Sequence, residues 1–278
     1  MTLDLAAALT GISGILVTPF DSSGAVAPAR LAPLLDRALA AGVPLPVVNG
    51  NTGEFSALSC DEACTMVRAV ADLVGNRAPL LAGVGRSLPD ACRLARASAE
   101  AGASGLMIHQ PPDPFVSPRG TVDYIRAIAD AADGLPLVLY LRNDAMGTAR
   151  IADLCAIPGV RGVKWATPNP LNLAAAIAAC DPGIIWVAGL AEVWAPPLYA
   201  VGARGFTSGL INVWPERSVA IHAALAAGDY PGALALINGM RAFEDIRAEE
   251  LNGTNVTAVK AALLAQGHAC GPTRPPSA

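Results

Sequence analysis

Charge is sparse in this sequence: only 15% of its 278 residues are Asp, Glu, Lys or Arg, and no run of lysines or arginines occurs. With a formal net charge of -4 and no basic stripe, there is no electrostatic footprint for nucleic acid or an anionic membrane surface. The expected partner is a small molecule. Long apolar runs are also lacking. Mean hydropathy is high at +0.44, yet each hydrophobic stretch is cut by Pro, Gly or charge before the roughly 20 residues that a bilayer span needs, so no membrane association is expected. The six cysteines, Cys60, Cys64, Cys92, Cys155, Cys180 and Cys270, lack metal-ligand spacing, Cys60 and Cys64 standing i,i+4 rather than as a CxxC. They read as reduced and mostly buried. A nucleotide loop is missing as well, because Gly83-Val84-Gly85-Arg86 is not followed by a third Gly at the dinucleotide spacing. The opening segment, Met1 to Gly11, has no basic stretch and carries Asp4, unlike a secretory signal; a cytoplasmic chain starting here is expected.

What is abundant is apolar material, 53% of the chain, enough for one large domain. Short β-branched runs bounded by Gly and Pro recur at 12–17, 44–49, 79–83, 105–108, 136–141, 160–165, 184–188 and 205–208, separated by alanine-rich segments of helical character. Runs that are hydrophobic almost throughout suit parallel strands covered on both faces. Eight of them alternating with helices predict an α/β fold, a (β/α)8 TIM barrel. Ser59-Cys60-Asp61-Glu62 has the form of a capping box and starts a helix after the second strand. The barrel is expected over 1–214 and a C-terminal helical extension over 215–270, with breaks near 228–232 and 253. The tail 271–278, which carries three prolines and no apolar anchor, is expected to be poorly ordered.

Reactive side chains of such a barrel stand at the C-terminal ends of its strands. The sixth strand reads Val160-Arg161-Gly162-Val163-Lys164-Trp165-Ala166, which places an ammonium in a segment suited to burial. A buried Lys is costly unless it is neutral, paired or reactive, and only the unprotonated amine attacks a ketone. Position alone leaves two readings open: a reactive amine, or a strand-end Lys reaching solvent or a carboxylate. In the fifth strand Tyr140 and Arg142 share one face by the period of two. The first can shuttle protons and the second can bind a carboxylate or sugar hydroxyls, while a core aromatic with a satisfied hydroxyl is the competing reading for Tyr140. After the second strand, Asn49-Gly50-Asn51-Thr52-Gly53-Glu54-Phe55 makes a tight loop. It either aims N–H and hydroxyl groups at an anion or is simply a turn.

Taken together, these residues resemble the dihydrodipicolinate synthase and N-acetylneuraminate lyase family over nearly the whole chain. Gly14-Ile15-Leu16-Val17-Thr18-Pro19-Phe20 is similar to its first-strand motif, and Gly50-Asn51-Thr52-Gly53-Glu54 resembles its GTTGE carboxylate loop. Leu139-Tyr140 and Gly162-Val163-Lys164 match its catalytic tyrosine and Schiff-base lysine. The sequence departs from the family in three places. Asn51 replaces the first loop threonine, keeping a hydrogen-bonding side chain. Ala145 stands where the synthases carry an arginine for the second substrate's carboxylate, which argues against dihydrodipicolinate synthesis. Gln110-Pro111-Pro112-Asp113-Pro114-Phe115 replaces the PYY segment of the tyrosine relay, leaving His109 or water as a substitute and a hydrogen-bonded structural histidine as the competing reading. Tyr140-Leu141-Arg142-Asn143-Asp144-Ala145, Gly189-Leu190-Ala191-Glu192 and Thr207-Ser208-Gly209-Leu210-Ile211-Asn212 are more similar to the branch that dehydrates 2-keto-3-deoxy sugar acids, such as 5-dehydro-4-deoxyglucarate dehydratase.

The resemblance implies a lyase in which Lys164 forms an imine with a 2-keto acid and Tyr140 relays protons. Asn51 and Thr52 bind the carboxylate, while Arg142, Glu192, Thr207 and Ser208 meet the distal polyol or second acid group. No metal or organic cofactor is required, since the lysine is the electron sink. The expected reaction is dehydration of a 2-keto-3-deoxy sugar acid. The alternatives are a pyruvate-dependent aldolase and a non-catalytic keto-acid-binding paralogue, against which the presence of both Lys164 and Tyr140 argues. A homotetramer is implied by the resemblance alone.

Overall fold

A computed structural model describes residues 4–113 and 115–277. The first three residues, Pro114 of the departing segment and Ala278 of the tail lie outside the described residues. Eight parallel strands close a barrel in sequence order: β1 Ile12–Ile15, β2 Leu45–Val48, β3 Leu81–Val84, β4 Gly105–Ile108, β5 Leu137–Leu141, β6 Val160–Trp165, β7 Ile185–Ala188 and β8 Gly205–Ser208. All eight are buried at every residue or at all but the first or second, which is why their sequences carry almost no polar alternation.

Two apolar layers result. Side chains pointing outward from the strands, such as Leu139, Leu141, Val163 and Trp165, meet the ring of helices. Those pointing inward, including Ile15, Val47, Leu81, Met107, Val138, Tyr140 and Val187, fill the barrel. A short helix, α1 (Leu5–Leu9), is capped by Asp4, whose Oδ1 accepts from the Ala6 and Ala7 amides. It plugs the end at which the strands begin, adding Leu5, Ala8 and Leu9 to the inner cluster. Its close approach requires glycine at the foot of β8, where a Cβ on Gly205 would lie 2.2 Å from the Leu9 carbonyl oxygen. With that end closed, the opposite mouth is left for chemistry.

The ring helices are α2 (Ala32–Ala41), α3 (Cys60–Val74), α4 (Leu88–Glu100), α5 (Pro118–Ala131), α6 (Thr148–Cys155), α7 (Pro170–Ala179), α8 (Ala191–Ala200) and α9 (Pro215–Ala226). Helix α3 starts at the expected capping box, the Ser59 hydroxyl accepting from the Glu62 amide at 3.1 Å and the Glu62 carboxylate from the Ser59 amide at 2.8 Å. Helix α9 packs on α2, α8, β1 and β8, so it is the eighth helix of the ring. The extension is therefore corrected to begin with α10 (Tyr230–Asn238), rather than at residue 215. It continues with α11 (Arg241–Asn252) and α12 (Asn255–Ala265).

Near its C-terminus the chain packs on the barrel. Phe20 donates its amide to the Cys270 carbonyl at 2.8 Å, and Arg274 donates to Glu62 at 2.7 and 2.9 Å. These contacts are made by backbone groups and one guanidinium rather than by apolar side chains. All six cysteines are free, and among the described residues no helix is long and apolar enough to cross a membrane.

Candidate active site

At the open mouth lies a cavity of about 380 Å³. Its wall takes residues from the ends of β5, β6, β7 and β8, from the loop after β2 and from α11 and α12. In β5 and β6 Tyr140 is the direct register partner of Lys164, so two inward positions on neighbouring strands bring phenol and amine together. The Lys164 Nζ stands 3.9 Å from the centroid of the Tyr140 ring. The lysine is only 4% exposed. Burial, with a smaller contribution from the Arg142 charge, brings its pKa down from 10.5 to about 7. No carboxylate pairs with it among the described residues, which removes the ion-pair reading left open above. Room for its stem comes from Gly189, where a Cβ would fall 2.9 Å from Lys164 Cγ and 2.8 Å from the Trp165 carbonyl oxygen.

The Tyr140 hydroxyl accepts a hydrogen bond from Asn51 Nδ2 at 2.8 Å, and burial raises its pKa. The phenol therefore stays protonated and can pass its proton to an oxygen leaving the carbinolamine carbon. Asn51 and Thr52 sit in a turn closed by Gly53 N donating to Gly50 O at 3.0 Å and Glu54 N to Asn51 O at 2.9 Å. Both residues line the cavity. Among the described residues neither of their amide N–H groups has an acceptor. Two unengaged donors beside a hydroxyl can hold an anion such as a carboxylate.

Arg142 lines the same cavity, as the period of two predicts, its guanidinium carbon 5.8 Å from the Tyr140 ring centroid. Thr207 lines it too. Glu192 and Ser208, expected to meet the distal part of a substrate, do not. Both are fully buried, and Glu192 Oε1 accepts from Ser208 Oγ at 2.5 Å and Ser218 Oγ at 2.6 Å. That expectation is corrected: the first turn of α8 directs Glu192 into the packing between β8 and α9. Burial first, and the neighbouring Glu244 second, raise its pKa, favouring the neutral acid.

His109 is also accounted for structurally. Its Nε2 donates to the Asn49 carbonyl at 2.9 Å, and its ring stacks on Phe55 at 4.5 Å. Burial and the Lys164 charge bring its pKa to about 3, so it is neutral at physiological pH. The Tyr140 ring meets it edge-on at 5.4 Å. A second hollow of about 420 Å³ adjoins there, lined by Phe55, Arg86, His109 and Gln110.

The sequence reading missed the contribution of the extension. Arg241, Glu244, Asp245, Arg247, Asn252 and Asn255 all line the main cavity. Arg247 is 4% exposed, donating to Glu244 at 2.5 Å and to Asn255 at 3.2 and 3.1 Å. In sequence, the i,i+3 and i,i+4 charge pairs of this helix look like a solvated face. The available signal was an arginine and a glutamate three apart on the side of the helix that carries Phe243 and Met240.

Comparison with known proteins agrees with this geometry. Residues 8–278 match the Dihydrodipicolinate synthetase family. 4-Hydroxy-tetrahydrodipicolinate synthase 1 of Streptomyces coelicolor is 36% identical over 271 residues, spanning 94% of this chain and 86% of that protein. A protein of the same organism named probable 5-dehydro-4-deoxyglucarate dehydratase 1 is 32% identical over 284 residues, 98% and 89% of the two chains. The crystal structure of dihydrodipicolinate synthase from Oceanobacillus iheyensis superposes with a TM-score of 0.93 at 34% identity, covering 98% of this chain and 91% of that one. The chain thus belongs to the dihydrodipicolinate synthetase family and is a lyase of the class I aldolase type.

Proposed function

We propose that Lys164 forms an imine with C2 of a 2-keto-3-deoxy sugar acid and that the enzyme dehydrates it, as on 5-dehydro-4-deoxyglucarate. The carrying observation is a buried amine with a pKa of about 7, set against Tyr140 in a cavity that also holds the Asn51-Thr52 seat. The amine adds to the ketone and the carbinolamine loses water, its oxygen protonated through Tyr140. Loss of a proton from C3 then leaves an enamine, and that proton passes through Tyr140 to the C4 hydroxyl as the enamine electrons expel it as water. Hydrolysis of the resulting imine returns the lysine. The substrate carboxylate rests on the amides of Asn51 and Thr52, while Arg142 and Thr207 face the distal hydroxyls or acid group. Arg247 adds a cation to that wall, balanced by Glu244.

A pyruvate-dependent aldolase is the second reading, favoured by the 36% identity to a synthase. Here the C4 hydroxyl gives up its proton as the C3–C4 bond breaks into the C2 iminium, leaving an aldehyde and the pyruvyl enamine on Lys164, and the reverse forms that bond. Against synthesis from a second amino-acid carboxylate stands Ala145, which carries no charge and lines a hollow separate from the lysine's cavity. Incubation with pyruvate and a panel of 2-keto-3-deoxy acids, followed by product analysis, tests the choice. A dehydrated keto acid, with or without CO₂, is the expected product. Pyruvate plus an aldehyde would establish the aldolase instead, and no imine with any keto acid would leave only the binding paralogue.

A further inference from the structure

Two ion pairs lie outside the cavity, one fully buried, Glu54 with Lys260, and one partly exposed, Arg274 with Glu62. Glu54 closes the Asn51-Thr52 turn with φ +55, a left-handed backbone that costs a non-glycine residue about 1–2 kcal/mol. Its carboxylate is fully engaged. Oε1 is ion-paired with Lys260 of α12, the two side chains 1% and 4% exposed, and Oε2 accepts the Arg274 amide at 2.7 Å. Lys260 donates in turn to the Pro272 carbonyl at 3.1 Å.

The Arg274 guanidinium reaches Glu62 at 2.7 and 2.9 Å and the Gly24 carbonyl at 2.6 Å. Phe20 lies between the two cations, with Lys260 Nζ 4.3 Å and Arg274 Cζ 4.2 Å from its ring centroid. From the barrel side Thr18 Oγ1 donates to the Gly53 carbonyl at 2.6 Å. The seat is thus gripped from within by β1's end and from without by the last residues of the chain.

A buried ion pair gives little net stability over apolar residues of the same volume. It does give direction: Glu54 meets both partners with its backbone left-handed, and that residue ends the turn carrying Asn51 and Thr52. We propose that residues 270–274 form a strap, with Lys260 and Arg274 as positioning residues that hold this turn in the shape that binds the substrate carboxylate. The inference rests on reading the turn as the carboxylate seat.

The test uses the full chain carrying Arg274→Ala, Arg274→Lys or the charge-balanced pair Glu54→Gln with Lys260→Met. That pair guards against misfolding of Lys260→Met alone, which would leave Glu54 buried and unpaired. Two quantities are measured: amide hydrogen exchange across residues 50–56, and the pyruvate concentration giving half-maximal borohydride trapping. Arg274→Ala and the double variant are expected to speed local exchange about tenfold and raise half-saturation about tenfold. The saturating trapping rate and its pH midpoint stay within about twofold, and Arg274→Lys recovers part of both effects. Unchanged exchange across 50–56 overturns the proposal, as does a saturating rate that falls as far as half-saturation rises. Should the unsubstituted enzyme trap no pyruvate, the keto-acid reading fails by itself, and the exchange rates still decide whether the strap holds the turn.

Discussion

At the scale of single residues, function turns on which polar groups are buried without a counter-charge. Lys164 is kept free of carboxylates, and Tyr140 keeps its proton because burial disfavours the phenolate. Removing that hydroxyl by Tyr140→Phe should lower kcat about 10²–10⁴-fold while leaving the fold intact, measurable by steady-state kinetics beside thermal melting. The sequence disclosed these two residues because a Lys and a Tyr in strands otherwise made for burial violate the local pattern. His109 was harder to read. Its 2.9 Å bond to the Asn49 carbonyl and its stacking on Phe55 favour a structural ring, and they join residues sixty and fifty-four positions apart.

Elements place those residues, and two glycine and carboxyl positions show how. Gly189, at the end of β7, leaves the space that the Lys164 stem occupies. Gly189→Ala should displace the amine and cost about 10²-fold in kcat/KM, with circular dichroism unchanged. Glu192, at the start of α8, should behave as a neutral group. Its raised pKa means that its contribution to stability is present below the ordinary carboxylate range and lost as pH rises through the raised value. Glu192→Gln should therefore keep the fold and flatten that loss, whereas Glu192→Ala, leaving Ser208 and Ser218 without their acceptor, should cost about 1–3 kcal/mol; urea unfolding against pH separates them. The strands were legible from sequence because parallel strands buried on both faces leave an unmistakable apolar run. The inward turn of Glu192 was not, because a Glu after a strand end looks the same whether it faces a cavity or the helix layer.

Across the whole molecule, the barrel supplies the lysine end of the site and the C-terminal chain supplies part of its wall and the strap. Arg247 and Glu244 reach the cavity from α11, and Arg274 ties the tail to Glu62 of α3. These long-range pairings were invisible in the sequence, since charges 212 positions apart carry no local signature, and a Pro-rich end without apolar residues reads as a loose one. Glu62 makes the tie testable by acid. The hydrogen bond from Arg274 holds its pKa at about 2, below the usual 4.5. Its stabilising contribution is complete above about 4.5 and lost as pH falls through about 2. Melting temperatures over that interval should drop less in Arg274→Ala than in the unsubstituted chain.

Imine chemistry at this site depends on one amine being unprotonated and within reach of a ketone at neutral pH. Borohydride trapping with pyruvate from pH 5 to 10, read by intact mass and peptide mapping, measures this directly. The prediction is a single adduct on Lys164 whose initial rate rises with a midpoint of about 7 and is abolished by Lys164→Ala. An adduct on another residue, or a midpoint near the ~10.4 of an ordinary lysine, would contradict it.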